Sequence, residues 1–110
     1  MKSHDEVFFI RLDEVLCFQA DDHYSYVNYV SGQRNMLPFG LGAIETQLAE
    51  GSEQAAMMQR MGRKYIVNVD RIFRVNTVKE VVVFNDKSGN VLNIHVPKAV
   101  LRDFIGKMGE

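Results

Sequence analysis

The sequence has only one cysteine, no long apolar run and almost no net charge, and each of these shortages excludes something. Cys17 stands alone, so an internal disulfide is ruled out; its place in Val15-Leu16-Cys17-Phe18 is that of a small buried hydrophobe. The longest apolar stretches, such as residues 81–84, fall far short of the roughly 20 residues that cross a bilayer. The opening Met1-Lys2-Ser3-His4-Asp5-Glu6 is polar and acidic and lacks the apolar centre of a secretory leader, so a cytoplasmic protein is the simplest expectation. Internal repeats and low-complexity segments are missing too. What is there fits one ordinary globule: 110 residues, 46% hydrophobic and 25% charged, expected to fold as a single domain over residues 1–110.

The net charge of −1 conceals an uneven distribution. Residues 1–59 hold 3 Lys or Arg against 9 Asp or Glu, a balance of −6, whereas residues 60–110 hold 10 against 5, a balance of +5. A nearly neutral chain can therefore carry one positive face, although charge along a sequence need not segregate in space.

Patterning is mainly that of strands. Residues 7–10 and 15–20 are rich in β-branched and aromatic side chains and read as two strands separated by a tight turn at Asp13-Glu14. Residues 24–30 read as a third, ended by Ser31-Gly32, with residues 34–37 returning as its hairpin partner. After Pro38 the spacing of Leu41, Ile44 and Leu48 predicts a short amphipathic helix stopped by Gly51-Ser52. Residues 52–56 read either as its continuation or as a linker to a strand near residues 57–60. Strands follow at residues 65–68, 72–75 and 81–84, and residues 85–90 are dense in turn formers. Residues 91–96 alternate, with Leu92, Ile94 and Val96 on one face. Pro97 suits the first turn of a terminal helix carried by Val100, Leu101, Phe104 and Ile105.

Catalysis and metal binding need convergent His, Cys, Asp or Glu groups, and these are sparse. Asp21-Asp22-His23 is the tightest titratable cluster, but neighbouring residues at a strand boundary point apart and no metal-ligand spacing accompanies them. His95 reads as a surface histidine. Gly40-Leu41-Gly42 lacks the lysine ending of a phosphate loop. Met57, Met58 and Met61 read as core filling rather than a partner groove. No metal, cofactor or enzyme activity is expected.

The remaining feature is Arg60-Met61-Gly62-Arg63-Lys64-Tyr65-Ile66-Val67-Asn68, in which three cations precede a strand. Gly62 permits a sharp turn or a close approach. Arg grips phosphate or guanine through a rigid fork and Lys acts as a mobile point charge, so Arg60, Arg63 and Lys64 together suit a polyanion.

This stretch, together with residues 15–27 (Val-Leu-Cys-Phe-Gln-Ala-Asp-Asp-His-Tyr-Ser-Tyr-Val), resembles the LytTR DNA-binding domain of bacterial transcription regulators over about residues 7–104. Residues 60–68 are similar to that family's Arg, variable residue, His, Arg, Ser, aromatic and Val-Asn; residues 15–27 look like its apolar strand, acidic turn and aromatic strand. The resemblance implies a mainly β fold of elongated antiparallel sheets, with one short helix in the middle and a short C-terminal helix. It also implies DNA contact through loops rather than a recognition helix. Three places would meet DNA: Asp22, His23 and Tyr24; Arg60, Arg63 and Lys64; and Lys98 after Pro97. Gly62, Tyr65 and Asn68 would support the basic loop. Gly62 stands where His is usual in the family, Lys64 where Ser is usual and Pro97-Lys98 where Ser-Arg is common. The implied partner is double-stranded DNA, at direct-repeat sites that allow a homodimer on DNA, with a receiver or sensor domain elsewhere in a longer native chain. The alternative is a protein-interaction or small-ligand-binding β module that kept the scaffold and lost the DNA contacts.

Overall fold

A strand that is apolar at consecutive positions must be covered on both faces, and the run Val15-Leu16-Cys17-Phe18 lies where that condition is met. In the computed structural model, which describes residues 1–85 and 91–109, this run opens β1 (Val15–Asp21). β1 is the centre of a five-stranded antiparallel sheet with β2 (Tyr24–Tyr29), β3 (Arg34–Leu37), β4 (Met58–Met61) and β5 (Tyr65–Asn68), in the order β3-β2-β1-β5-β4. A second antiparallel sheet contains β6 (Ile72–Asn76), β7 (Val81–Asn85) and β8 (Val91–His95) in sequence order. The helices are α1 (Leu41–Leu48), the single turn α2 (Glu53–Ala56) and α3 (Lys98–Lys107). The molecule measures 43 × 28 × 28 Å, so the expected elongated, mainly β architecture is present.

Each face of the large sheet has its own core. Phe18, Val27, Leu37 and Ile66 pack beneath Leu41 and Ile44 of α1. On the other face Cys17, Met61 and Val67 meet Val82 and Phe84 of the second sheet and Leu101 and Phe104 of α3. The pairing of β1 with β2 shifts between Val15 and Cys17, and this irregularity lets Leu16 and Cys17 join the same core although they are consecutive. Met58 and Met61 are buried and fill the core, whereas Met57 is half-buried and lines a surface groove.

Two local expectations are corrected and one is made more specific. Residues 7–10 do not form a strand; Val7 makes a single bridge to Lys2, while Phe8 and Ile10 pack on the α1-side core. Both neighbours of β1 are already taken by β2 and β5, so this segment crosses a face instead of extending an edge, held to α1 by the Lys2 amide donating to Gln47 Oε1 (2.9 Å). The Asp13-Glu14 turn is a 3₁₀ turn over Leu12–Glu14. Pro97 lies outside α3, at its N-cap, with an extended ψ of 144°. The ambiguous residues 52–56 include α2. The turn formers at 86–90 lie outside the described residues.

Candidate nucleic-acid interface

The β1–β2 turn and the β4–β5 loop emerge at the same end of the large sheet, because Gln19 of β1 pairs with both Tyr26 and Tyr65. The Ala20 amide also donates to the Lys64 carbonyl at 2.8 Å, tying the loop to the strand that leads into the turn. A third segment arrives through packing. A Cβ placed on Gly62 would lie 3.1 Å from Val100 Cγ1, so the start of α3 sits directly against the loop. The sites expected around His23, Arg63 and Lys98 are therefore brought together.

The β1–β2 connection is a two-residue turn, Asp22-His23, closed by the Asp21–Tyr24 pair. Tight hairpins need a positive φ at the first central position, and Asp22 supplies it at +55°. Its carboxylate lies 3.7 Å from His23 Nε2 at the surface. Tyr24 is 48% exposed, whereas Ser25 below it is fully buried and donates to the Phe39 carbonyl at 2.8 Å.

The β4–β5 loop is Gly62-Arg63-Lys64, closed by the Met61–Tyr65 pair. Gly62 has φ +70°, a region that costs an L-residue about 1–2 kcal/mol. Arg60 braces this loop from inside: Nε donates to the Gly62 carbonyl at 2.8 Å and Nη2 to the Arg63 carbonyl at 3.4 Å, while Nη1 pairs with the Glu45 carboxylate of α1. Arg63 and Lys64 are exposed, and neither side chain bonds to another described residue. Tyr65, buried at the root of the loop, has its phenol pKa raised by desolvation.

Lys98 is the first residue of α3 and is exposed. Pro97 gives this helix no side-chain cap, and Glu80 supplies one from the β6–β7 connection: its Oε2 accepts the Lys98 amide at 2.6 Å. A carboxylate at a helix N-terminus is favoured by both the free N–H groups and the helix dipole. Glu80 has φ +56° and its Oε1 lies 3.6 Å from His95 Nε2, so His95 is a surface residue facing an acid.

Asn68 does not hold the basic loop. It lies at the opposite end of β5, where its Nδ2 donates to the Val15 carbonyl (2.9 Å) and its Oδ1 accepts the Asp70 amide (3.1 Å). The sequence also gave no sign of Glu45, Glu80 or Val100, which support the site from 15, 18 and 38 residues away from Arg60, Lys98 and Gly62 respectively. Burial pushes the Cys17 thiol up to about 12 and leaves it a protonated core group. Among the described residues no cluster of His, Cys, Asp or Glu could hold a metal, and no helix is long and apolar enough to cross a membrane.

A family model described as the LytTr DNA-binding domain matches residues 5–105. The chain belongs to the LytTR DNA-binding domain family. Among solved structures, this LytTR domain is similar to the LytTr DNA-binding domain described for a methyl-accepting/DNA response regulator of Bacillus cereus. The two superpose with a TM-score of 0.66 at 20% identity, over 99% of this chain and 94% of that one, which establishes a common fold. A search of curated proteins finds no match.

Proposed function

We propose that this LytTR domain binds double-stranded DNA sequence-specifically as the output domain of a bacterial transcription regulator. The observation that carries the reading is the gathering of Arg63, Lys64 and Lys98 at one end of the sheet, exposed and with side chains that have no partner among the described residues. Cations held ready but unneutralised suit phosphate, whose condensed counterions they release on binding. Arg63 is the base reader, since its fork fits O6 and N7 of guanine in the major groove. Lys64 and Lys98 act as phosphate contacts. His23 and Tyr24 add a neighbouring contact from the β1–β2 turn, and Asp22 shapes that turn. The loops enter adjacent major grooves, and Gly62 and Tyr65 keep the central loop in place.

On this reading residues 1–110 are one domain, it performs no catalysis, and it works in the cytoplasm. Two copies occupy direct-repeat sites, and a receiver or sensor domain supplies the signal in a longer native chain. The rival reading, a ligand or protein-interaction module, would be favoured by an apolar pocket. The grooves of about 340 and 370 Å³ include Asp13, Asp70 and Arg71 in one and Glu45 and Arg60 in the other, and the pocket lined by Met1, Ile10, Leu12 and Leu48 holds only about 140 Å³.

Fluorescence anisotropy with a direct-repeat duplex tests the proposal. If about four cations meet phosphate, log K falls against log salt with a slope of about −3.6. Binding that ignores salt, or no binding to any duplex drawn from a random pool, would sink it.

A further inference from the structure

We infer that Arg60 is a positioning residue rather than a DNA ligand, and that Glu45 is its anchor: together they set the conformation in which the β4–β5 loop presents Arg63. The inference rests on the DNA-binding reading and deepens it. From sequence, Arg60 is simply the first of three cations in a basic stretch. In the fold its three guanidinium nitrogens are all engaged within the protein. Nε and Nη2 form one edge of the fork, the edge that would grip a phosphate or a guanine, and they point at the carbonyls of Gly62 and Arg63. Nη1 is paired with Glu45. Arg63 and Lys64, by contrast, have side chains without a partner among the described residues.

The register explains why the roles separate. Arg60 pairs with Ile66 in the sheet, and Ile66 pairs with Phe18 of the α1-side core, so the Arg60 side chain leaves the sheet on the face that α1 covers. The loop, closed one residue later, curls back so that its carbonyls meet this guanidinium. Two carbonyls held by one planar fork leave the loop little freedom, and α1 holds the fork. Lysine has the charge but not the geometry, because one ammonium cannot reproduce a planar fork serving three acceptors.

Two substitutions separate positioning from contact. Arg60→Lys keeps the charge, and Glu45→Ala makes the domain one unit more positive, which by charge alone would tighten binding to a polyanion. Positioning predicts that each weakens binding to the specific duplex about fivefold or more, the equivalent of a net hydrogen bond. The salt slope stays unchanged, and with the charge-conserving Arg60→Lys so does the affinity for a random duplex. In the free protein, ¹⁵N order parameters of the Arg63 and Lys64 amides fall from the rigid range, about 0.85, toward the flexible range below about 0.6. The inference is overturned if Glu45→Ala tightens binding, if Arg60→Gln reduces the salt slope by about 0.9, the share of one phosphate contact, or if the order parameters stay unchanged. If the unsubstituted domain binds no DNA, the proposed function fails alone, because the order parameters still decide whether Arg60 and Glu45 hold the loop.

Discussion

The β4–β5 loop and the β1–β2 turn lie side by side at one end of the same sheet, yet they are held in opposite ways. Tertiary contacts hold the loop: Arg60 and Glu45 from beneath, Val100 against Gly62, and a buried Tyr65 at its root. The turn is held by its own backbone, with Asp22 in the left-handed region, exposed His23 beside it and a half-exposed Tyr24 leading away. A base reader needs a fixed approach, because a fork misplaced by about an ångström loses its bidentate pair, whereas a phosphate contact tolerates a mobile charge. On the proposed reading, this difference in support matches a difference in task, with Arg63 reading bases and the turn adding grip.

The largest effect expected is alkaline. Cys17 lies beneath the loop side of the sheet with its thiol raised from 9.0 to about 12, and Tyr65 is raised as well. Both groups are raised in the folded state, so their stability contribution is intact at neutral pH and is lost as pH climbs above the unfolded values. The unfolding free energy should drop between pH 9 and 12 by about 1.4 kcal/mol per pH unit for the thiol. Urea titrations across that range check it, and Cys17→Ala should flatten the fall; an equal slope in the variant refutes the assignment.

Next comes Arg63→Ala, which should weaken specific binding by about 1–3 kcal/mol and relax the preference at a single base position. A uniform loss across all sequences would make Arg63 a phosphate contact and erase its contrast with the turn. Gly62→Ala should lower stability by about 1–2 kcal/mol, since its φ of +70° disfavours any Cβ and Val100 has to give way. A neutral result by thermal unfolding would show that the loop is not locked in this way. Glu80→Ala removes a helix cap and should cost about 1 kcal/mol, with Lys98's share of the salt slope becoming weaker. The smallest effect belongs to the turn. His23→Ala should change stability by less than about 0.5 kcal/mol, and a larger loss would mean that the turn too depends on tertiary support.

Strand positions were readable because their physical cause is local. Alternation in residues 91–96 and the spacing of Leu41, Ile44 and Leu48 follow from one face being buried, the β-branched and aromatic run at 24–30 suits a strand inside a sheet, and β8, α1 and β2 stand there. Residues 7–10 have strand composition without a strand, since composition reports burial and not the presence of a free sheet edge. Of the site, the sequence showed which side chains are cationic and that Gly62 interrupts them, and the family motif pointed to the three segments. It could not show that Arg60 turns inward, because that depends on which face of β4 is covered by α1.

The sequence by itself determined a single mainly β chain with a positive stretch before a buried strand, because residue type and period control local conformation and burial. Tertiary structure alone decided which of the cations turns inward. Glu45 and Glu80 reach Arg60 and the Lys98 amide only after the sheets and helices have packed, and no local pattern encodes a contact that the chain makes through space.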